Sequence, residues 1–298
     1  MLERLNIHNV REITAGVIED IEKFNIFVGE NMQSRKTTVM EMLYLAAANR
    51  QVDFALGQAS LSLKEGNFEV TAKRWPGYVI LFNHHLINAP FPQKFIQWAE
   101  GALGKDWPGS VEENMQGWVE EILQIEGATV ELGGEVGYVR FPGKGRLPIE
   151  HLGDGICHAT KVLVYITTLA HVATKEKPGL FLWEYPEIFV HPTTLDTFLR
   201  RLLKFSMKED KHIQFFLSSH SLEVLAMVTA FFQEHEELRE QYRVFHLELK
   251  DGEFYATKFR FGNVLGWLEA GFDVRSRETM ELPFYFRYIT EKDEGPLW

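Results

Sequence analysis

The residues with the clearest chemistry lie in FNIFVGENMQSRKTTVMEML, the segment over residues 24–43. Binding a polyphosphate takes backbone N–H groups in a turn opened by glycine, a lysine that reaches the β- and γ-oxygens, and a hydroxyl group for magnesium. Gly29, Lys36 and Thr37 can fill these three roles, in the order in which a phosphate loop uses them. The segment therefore predicts a strand, a phosphate loop and a helix.

The spacing within this loop departs from the usual pattern by one residue. In GxxxxGK[ST] the lysine comes six residues after the first glycine, whereas Lys36 comes seven residues after Gly29 and follows Arg35 where a second glycine is expected. An ungapped alignment would instead put Ser34, Arg35 and Lys36 at the Gly, Lys and Ser/Thr positions. We favour the one-residue insertion because it keeps the KTT triplet in place. A surface loop that binds no nucleotide is the alternative for this segment alone.

Two further apolar segments end in polar residues suited to metal or phosphate chemistry. Glu184 follows an apolar run in LFLWEYPEIFVHP, residues 180–192, and His220 follows another in QFFLSSHSLEVL, residues 214–225. A carboxylate can hold magnesium, and a histidine at a strand end can donate one hydrogen bond to phosphate while a neighbour orients its other nitrogen. The alternatives are a buried strand before a solvated turn for the first segment, and a polar helix cap for the second.

A glycine pair opens a long helical pattern in LPIEHLGDGICHATKVLVYITTLA, residues 147–170. The Gly153-Asp154-Gly155 turn offers backbone N–H groups and a helix N-terminus to an anion. Taken alone, the same string is also typical of an ordinary turn.

In order along the chain, these four segments resemble the ABC-like ATPase domains of the group that includes OLD, RecF and SMC proteins. The resemblance covers about 1–50 and 147–230, including the opening LNIHNVRE, and does not extend through 51–146. It implies that Glu184 stands at the magnesium-binding aspartate of the group, and Tyr185 at the glutamate that acts as general base.

The same resemblance implies the cofactors, ATP and Mg2+, and the assembly. Thr37 and Glu184 would be the metal ligands, and His220 would be the switch histidine that senses the γ-phosphate. Gly153 and Gly155 would belong to the signature segment, which reaches the partner's nucleotide in a head-to-tail dimer. The full set of nucleotide-binding candidates is Gly29, Asn31, Ser34, Lys36, Thr37, Thr38, Gly153 and Gly155.

Two departures from the family's pattern predict weak or absent hydrolysis. Arg35 replaces the glycine beside the lysine, where a side chain would crowd a bound triphosphate. Tyr185 replaces the base, and a phenol with a pKa near 10 stays protonated near neutral pH. We therefore expect a dimerising ATP-binding module, a homodimer or a heterodimer with a related ATPase, that regulates a separate effector protein in DNA maintenance or anti-phage defence. The alternative is a pseudoenzyme scaffold for protein or DNA binding that binds no nucleotide.

The elements that must position these residues alternate between strands and helices. Apolar segments near residues 5–10, 18 and 24–28 predict strands before a helix over 36–49. Such alternation implies crossover connections and a parallel sheet that is buried on both faces. From residue 152 onward the patterns predict a helix over 155–173, a strand over 179–183, a helix over 192–205, a strand over 213–217, a helix over 221–236, and strands near 242–248 and 253–259.

The middle of the chain has a different pattern. Residues 57–83 alternate at strand spacing, with turn signals at Glu65-Gly66-Asn67 and Pro76-Gly77, and predict a small antiparallel sheet. Residues 92–126 predict helices with Ser110 as an N-cap. The string ATVELGGEVGYVRF predicts a hairpin that turns at Gly133-Gly134. The predicted fold is therefore α/β, a P-loop NTPase of the ABC-ATPase type with a mixed, largely parallel central sheet, an antiparallel β edge subdomain and a helical lobe. We expect one composite domain over 1–298, made of an N-terminal part (1–84), an insertion lobe (85–150) and a signature, strand and switch part (151–298).

The composition of the chain limits the classes of partner that it is expected to bind. The formal net charge of −11 does not favour a broad electrostatic grip on nucleic acid, although DNA binding at a local basic groove stays open. The basic residues over 192–212 are better interpreted as a solvated helix face. Cys157 is the one cysteine, and the His84-His85 pair lacks a third metal ligand nearby. No apolar stretch reaches the roughly twenty residues of a membrane helix, so we expect a cytoplasmic protein with no membrane contact.

Overall fold

The structure is a computed structural model that describes residues 1–30, 35–48, 53–59, 67–72, 77–88, 90–123, 125–133, 136–188, 191–275 and 278–279. Its strands in chain order are β1 (Leu2–Val10), β2 (Ile13–Glu19), β3 (Phe24–Val28), β4 (Phe54–Leu56), β5 (Asn67–Ala72), β6 (Tyr78–Phe82), β7 (Thr129–Gly133), β8 (Val136–Phe141), β9 (Gly145–Pro148), β10 (Gly179–Glu184), β11 (Ile213–Ser218), β12 (Tyr242–Lys250), β13 (Glu253–Arg260), β14 (Phe272–Asp273) and β15 (Glu278–Thr279). Its α-helices are α1 (Lys36–Ala48), α2 (His84–Asn88), α3 (Gln93–Leu103), α4 (Trp107–Leu123), α5 (Asp154–Val172), α6 (Pro192–Ser206), α7 (Leu222–Glu234) and α8 (Phe261–Glu269).

One large sheet organises the described part of the chain. Its strand order is β4-β6-β10-β11-β3-β12-β13-β2-β1-β5, and the strands from β4 to β12 run parallel. Every residue of β3, β6, β10 and β11 is buried, which is typical of parallel strands covered on both faces. The predicted α/β fold with a largely parallel central sheet is confirmed.

Two apolar cores lie on opposite faces of these parallel strands. On one face α1 packs on the sheet, and Leu43 belongs to the same cluster as Phe27 and Phe216. On the other face α5, α6 and α7 pack around Phe24 and Phe215. Because successive side chains of a strand point to opposite faces, neighbours such as Phe215 and Phe216 stabilise different helix layers.

The antiparallel part of the sheet differs from the prediction for residues 57–83. β5 pairs antiparallel with β1 at one edge, whereas β6 pairs parallel with both β4 and β10 near the other edge. Gly77 does not make a hairpin turn. A Cβ there would collide with the carbonyl oxygen of Pro178, which accepts a hydrogen bond of 2.9 Å from the N–H of Tyr78. The glycine thus allows β6 to enter the sheet interior, where its continuous apolar run YVILF belongs.

The helical lobe consists of α3, α4 and a small antiparallel sheet of β7, β8 and β9. The predicted hairpin is confirmed, since β7 and β8 pair antiparallel from Thr129 and Arg140 to Gly133 and Val136, and Gly134 lies outside the described residues. Ser110 is not an N-cap as predicted, because α4 begins earlier, at Trp107. The segment 104–107 makes its own turn, with the N–H of Trp107 donating to the carbonyl of Gly104.

Two helices were not predicted. His84 and His85 begin the short α2 and do not continue the strand, since the side chain of Asn83 accepts a hydrogen bond of 3.2 Å from the N–H of His85 at its start. α8 follows β13 directly, and the N–H of Arg260 donates to the side chain of Asn263 at the helix start. Among the helices of the described ranges, none combines the length and apolar character that crossing a membrane requires.

Candidate functional site

Three of the predicted segments meet at one edge of the parallel sheet. β10 ends at Glu184, β11 ends at Ser218 and β3 ends at Val28. In the register, Glu184 lies beside Ser218, and Ser218 beside Phe27. Because the carboxyl ends of adjacent parallel strands share an edge, the segments that follow these strands are brought side by side there. This is the usual position of ligand sites in such sheets.

Lys36, the first residue of α1, is folded back onto the end of β3. Only 3% of the residue is exposed, and its Nζ donates a hydrogen bond of 2.8 Å to the carbonyl oxygen of Gly29. Burial lowers the pKa of Lys36 to about 8, an effect that Glu187 opposes and Arg275 reinforces. Gly29 has a φ of +142°, a conformation that side chains disfavour. The loop geometry therefore needs glycine at this position.

The start of α1 is also held by the turn between β1 and β2. Arg35 has a φ of +50°, so it adopts the left-handed conformation that glycine takes at no cost, and its guanidinium pairs with Glu12. Arg11 donates to the Thr38 hydroxyl at 3.3 Å and lies 3.8 Å from Glu41. Two of the predicted phosphate-binding residues, Asn31 and Ser34, lie outside the described residues.

Thr37, Glu184 and Tyr185 form the polar centre of the site. The hydroxyl oxygens of Thr37 and Tyr185 are 3.1 Å apart, within hydrogen-bond distance. Burial raises the pKa of Glu184 to about 7, while a hydrogen bond from Thr37 acts in the opposite direction and the charge of Glu41 adds to the rise. Burial also raises the pKa of Tyr185. Near neutral pH the phenol is thus neutral, and the Glu184 carboxyl is poised to lose its proton to a cation.

Glu187 holds the segment Ser219–Ser221 that follows β11, called the switch segment below after the role that the resemblance implies for His220. One Glu187 carboxylate oxygen accepts from the N–H of His220 at 2.9 Å, and the other accepts from the hydroxyl of Ser219 at 3.0 Å. The His220 ring stacks on Tyr185, with centroids 5.3 Å apart and planes at 12°. Burial lowers the pKa of His220 to about 4, and Lys36 and Arg275 lower it further. The imidazole is therefore neutral and oriented.

Sequence patterns did not reveal two groups of this site. Glu187 follows Tyr185 and Pro186 in the segment after β10, and its contacts with Ser219 and His220 went unpredicted. Arg275 lies just after β14, beyond the last predicted strand, and its guanidinium pairs with Asp273 and donates to the carbonyl oxygen of His220. Nothing in the local pattern around Arg275 indicates a site, because the contact joins residues 55 positions apart.

Gly153 and Gly155 lie elsewhere in the described structure. Gly153 is the exposed residue before α5, and Gly155 lies in the first turn of that helix. A Cβ at Gly153 would meet no atom within 4 Å, so packing inside this chain does not require glycine there. The helix itself is joined to β10, since the buried His158 accepts a hydrogen bond of 3.2 Å from the indole N–H of Trp183.

The donor set beside Thr37 fits a magnesium ion. Mg2+ is usually held by one or two protein oxygens together with phosphate oxygens and water, rather than by a cage of side chains. Glu184 is 2% exposed, and its Oε1 has no hydrogen-bond partner in the described part of the chain. A buried carboxylate oxygen without a partner is costly unless a ligand completes it. Thr37 and Glu184 together supply the oxygens that such a metal needs.

Comparisons with known proteins agree with this geometry. Residues 84–226 match the model of a family described as "AAA domain, putative AbiEii toxin, Type IV TA system", a segment that contains Glu184 and His220 but begins after Lys36. The comparison with curated proteins finds no match to this sequence.

Among solved structures, the chain is similar to an Smc head bound to the C-winged helix domain of ScpA. The TM-score is 0.59 at 12% identity, over 87% of this chain and 97% of that chain. It is also similar to the Smc head domain from Pyrococcus furiosus with an extended coiled coil, bound to the C-terminal domain of ScpA. Here the TM-score is 0.58 at 12% identity, over 90% of this chain and 98% of that one.

The fold and the arrangement of its strand ends define the class of P-loop ABC-type ATPase heads. The chain has the fold of these heads, and its residues 84–226 are similar to the AAA family model, so the chain resembles ABC-like AAA ATPases. The resemblance that the four sequence segments predicted is therefore confirmed.

Proposed function

We propose that this chain binds ATP with Mg2+ at the edge of the parallel sheet and works as a dimerising ABC/OLD-like ATPase module with weak or absent hydrolysis. One observation carries the proposal. Lys36 and Thr37, which begin α1, lie against the ends of β10 and β11, where Thr37 is 3.1 Å from Tyr185 and Tyr185 stacks on His220. Phosphate-binding, metal-binding and switch groups thus occupy one site.

Each residue has a defined part in this proposal. Lys36 leaves the Gly29 carbonyl to bind the β- and γ-phosphate oxygens, and the loop backbone from Gly29 through Asn31 and Ser34 to Thr38 surrounds them. Thr37 and Glu184 hold the Mg2+. The metal supplies positive charge that neutralises the phosphates. His220 donates a hydrogen bond to the terminal phosphate, with Glu187 fixing its backbone.

Weak hydrolysis follows from the residue that occupies the base position. Tyr185 has a φ of +55°, so its backbone turns sharply after β10 and directs the phenol towards Thr37. A neutral phenol cannot accept the proton of an attacking water near neutral pH. Because a positioned general base contributes about 10²–10⁴-fold to a rate, its absence supports a module that responds to nucleotide binding more than to turnover.

The assembly remains a proposal built on the fold. Gly153, exposed just before α5, and Gly155, partly buried in its first turn, would reach the nucleotide of a second protomer, either an identical chain or a related ATPase with intact residues. The similar Smc heads are bound to domains of ScpA, which supports a separate partner protein here as well. We propose that this effector acts in the cytoplasm, in DNA maintenance or anti-phage defence, with DNA itself as a further candidate ligand.

The second candidate is a scaffold that keeps the fold and never binds nucleotide. It is favoured by Arg35, which stands at the second glycine of the loop in a left-handed conformation. It is also favoured by the phenol of Tyr185, which already engages the hydroxyl of Thr37.

A titration with a fluorescent ATP analogue and Mg2+ separates these two functions. We expect saturable binding to the wild-type chain and its loss in Lys36→Ala. Lys23→Ala is the matched control, because Lys23 at the other end of β3 is also buried, donates 3.0 Å to a backbone carbonyl and has its pKa lowered to about 8 by burial. Binding that is absent at millimolar ligand would leave only the scaffold. Binding that both variants weaken equally would remove Lys36 from the proposed phosphate site.

A further inference from the structure

Arg275 is anchored on the switch segment by contacts from three directions. Its Nε donates to one Asp273 oxygen at 2.9 Å and its Nη2 donates to the other at 2.7 Å. Its Nη1 donates to the carbonyl oxygen of His220. Its own backbone carbonyl accepts 2.7 Å from Nε2 of His246 on β12. The side chain is thereby fixed at the mouth of the site.

The guanidinium still has donors to offer. It carries five N–H groups, and the contacts with Asp273 and His220 use one on each of its three nitrogens. One N–H on Nη1 and one on Nη2 are not used by these contacts. With 29% of the side chain exposed, a ligand can reach them. Two parallel N–H groups of a guanidinium match the oxygens of a phosphate.

The charges around Arg275 favour the binding of an anion. The guanidinium of Arg275 contacts the carbonyl oxygen of His220, and its charge acts on both His220 and Lys36, whose pKa values it lowers. Three groups that are cationic or can become so thus lie together, namely Lys36, His220 and Arg275. The carboxylate of Glu187 favours the charged form of Lys36 and so acts against the effect of Arg275. Asp273 neutralises Arg275 from the other side. A bound polyanion would relieve this repulsion.

We propose that Arg275 binds the terminal phosphate of the nucleotide beside Lys36 and His220, and so couples the segment Phe272–Arg275 to the presence of that phosphate. The inference rests on the proposed function and deepens it, because it adds a phosphate contact from the segment that follows α8. Asp273 acts as the positioning residue that presents the guanidinium. Because ADP lacks the terminal phosphate, Arg275 keeps only its contacts with Asp273 and His220 when ADP is bound.

The first test compares affinities for two nucleotides in Arg275→Gln. Competition against a fluorescent analogue should show ATP binding weakened by about tenfold to hundredfold, since charged hydrogen bonds contribute at this level, with ADP binding nearly unchanged. Arg239→Gln is the matched control, because that side chain is also 29% exposed and ion-paired, with Glu236. It should bind both nucleotides like the wild type.

The possible results are distinguishable. If the wild type prefers ATP and Arg275→Gln keeps the same ratio of ATP to ADP affinity, the phosphate contact is overturned while ATP binding stands. If the wild type binds neither nucleotide, the proposed function fails and the contact fails with it. If thermal unfolding shows that Arg275→Gln is not folded, Arg275→Lys replaces it as the test variant. That variant keeps the charge but loses the fork, so an ATP preference equal to the wild type would also overturn the contact.

A second readout follows the segment itself. Hydrogen exchange of the amides over Phe272–Arg275 should slow when a nonhydrolysable ATP analogue is added to the wild type, and ADP should have little effect. In Arg275→Gln the analogue should no longer slow this exchange. Equal protection by the analogue in both proteins would overturn the coupling, because the segment would then respond to nucleotide without Arg275.

Discussion

The phenol of Tyr185 lies 3.1 Å from the hydroxyl of Thr37, so one side chain connects the end of β10 to the start of α1. The same ring stacks on His220 beyond β11. Tyr185 therefore touches both a proposed metal ligand and the proposed switch residue, at the position where the resemblance implies a general base. Because of these two contacts, substitutions of Tyr185 should have defined effects on the site.

We expect Tyr185→Glu to raise the rate of ATP hydrolysis at least about tenfold, since a positioned general base contributes about 10²–10⁴-fold. The measurement is single-turnover hydrolysis with Mg2+ and enzyme in excess, in which the wild type should turn over more slowly than about once per minute.

Tyr185→Phe is the control for this experiment, because it removes the contact with Thr37 and adds no base. It should hydrolyse ATP as slowly as the wild type. If Phe accelerates the reaction as much as Glu does, release of Thr37 explains the gain and the missing base does not. A wild-type chain faster than the stated limit would refute impaired catalysis altogether.

Glu184 should make the nucleotide-free protein less stable as the pH rises. Burial raises its pKa from 4.5 to about 7, so the native state retains a proton that the unfolded chain has lost. Its contribution to the free energy of unfolding is fully present below pH 4.5 and is lost as the pH rises through 7, by roughly 3 kcal/mol. Glu184→Gln cannot ionise, and its stability relative to the wild type should increase over this range.

Urea unfolding at a series of pH values, without metal or nucleotide, tests this expectation. Glu253→Gln is the control, since it removes the charge of an exposed glutamate on β13 and should run parallel to the wild type. A constant difference between Glu184→Gln and the wild type from pH 4.5 to 8 would mean that Glu184 ionises normally in the fold.

Glu187→Gln should loosen the switch segment. The carboxylate accepts from the N–H of His220 and from the hydroxyl of Ser219, and an amide can accept with only one of its two ends. We expect a loss of roughly 1–3 kcal/mol in the free energy of unfolding, together with weaker binding of the ATP analogue. Ser219→Ala keeps the contact between Glu187 and His220 but also removes the acceptor of the Ser221 N–H, so the two variants are compared by binding of the ATP analogue, which Ser219→Ala should weaken less. Equal weakening of binding in the two variants would show that the His220 contact adds nothing.

Much of this site was predictable because its elements are encoded locally. After residue 152, apolar runs and helix caps such as Ser221, whose hydroxyl accepts from the N–H of Val224 at 3.2 Å, mark strands and helices within a few positions. The convergence of Lys36, Glu184 and His220 then follows from the topology, since the carboxyl ends of parallel strands share one edge.

The rest depends on contacts between distant residues. The sequence predicts β6 in an antiparallel sheet because turn residues lie next to it along the chain. Its actual position in the sheet depends on the close approach of Gly77 to Pro178. Arg275 reaches His220 across 55 residues, and no periodicity encodes such a pair. α8 was missed because Gly262 and Gly266 disfavour a helix, and packing of Val264 and Leu268 into the core outweighs that preference.

His158 provides a test of the connection between α5 and the site. It is fully buried, its Nδ1 lies 3.1 Å from the carbonyl of Ile188 and its Nε2 accepts from the indole of Trp183. A carbonyl only accepts, so Nδ1 carries the proton and the ring must be neutral. Burial lowers its pKa from 6.5 to about 4. Between pH 6.5 and pH 4 the unfolded chain binds this proton more tightly than the native state does. The contribution of His158 to the free energy of unfolding is therefore fully present above pH 6.5 and falls with acidification, by roughly 2 kcal/mol at pH 5.

His158→Gln keeps a donor and an acceptor but does not titrate, so the loss between pH 7.5 and 5 in urea unfolding should be smaller in this variant than in the wild type. His8→Gln, which changes an exposed histidine on β1, should lose as much as the wild type does. Parallel curves for wild type and His158→Gln would mean that the buried ring is protonated at no cost, which its two contacts do not allow. Because Trp183 precedes Glu184 on β10, protonation of His158 should also weaken binding of the ATP analogue as the pH falls towards 4, the pKa of the buried ring, and His158→Gln should reduce that dependence.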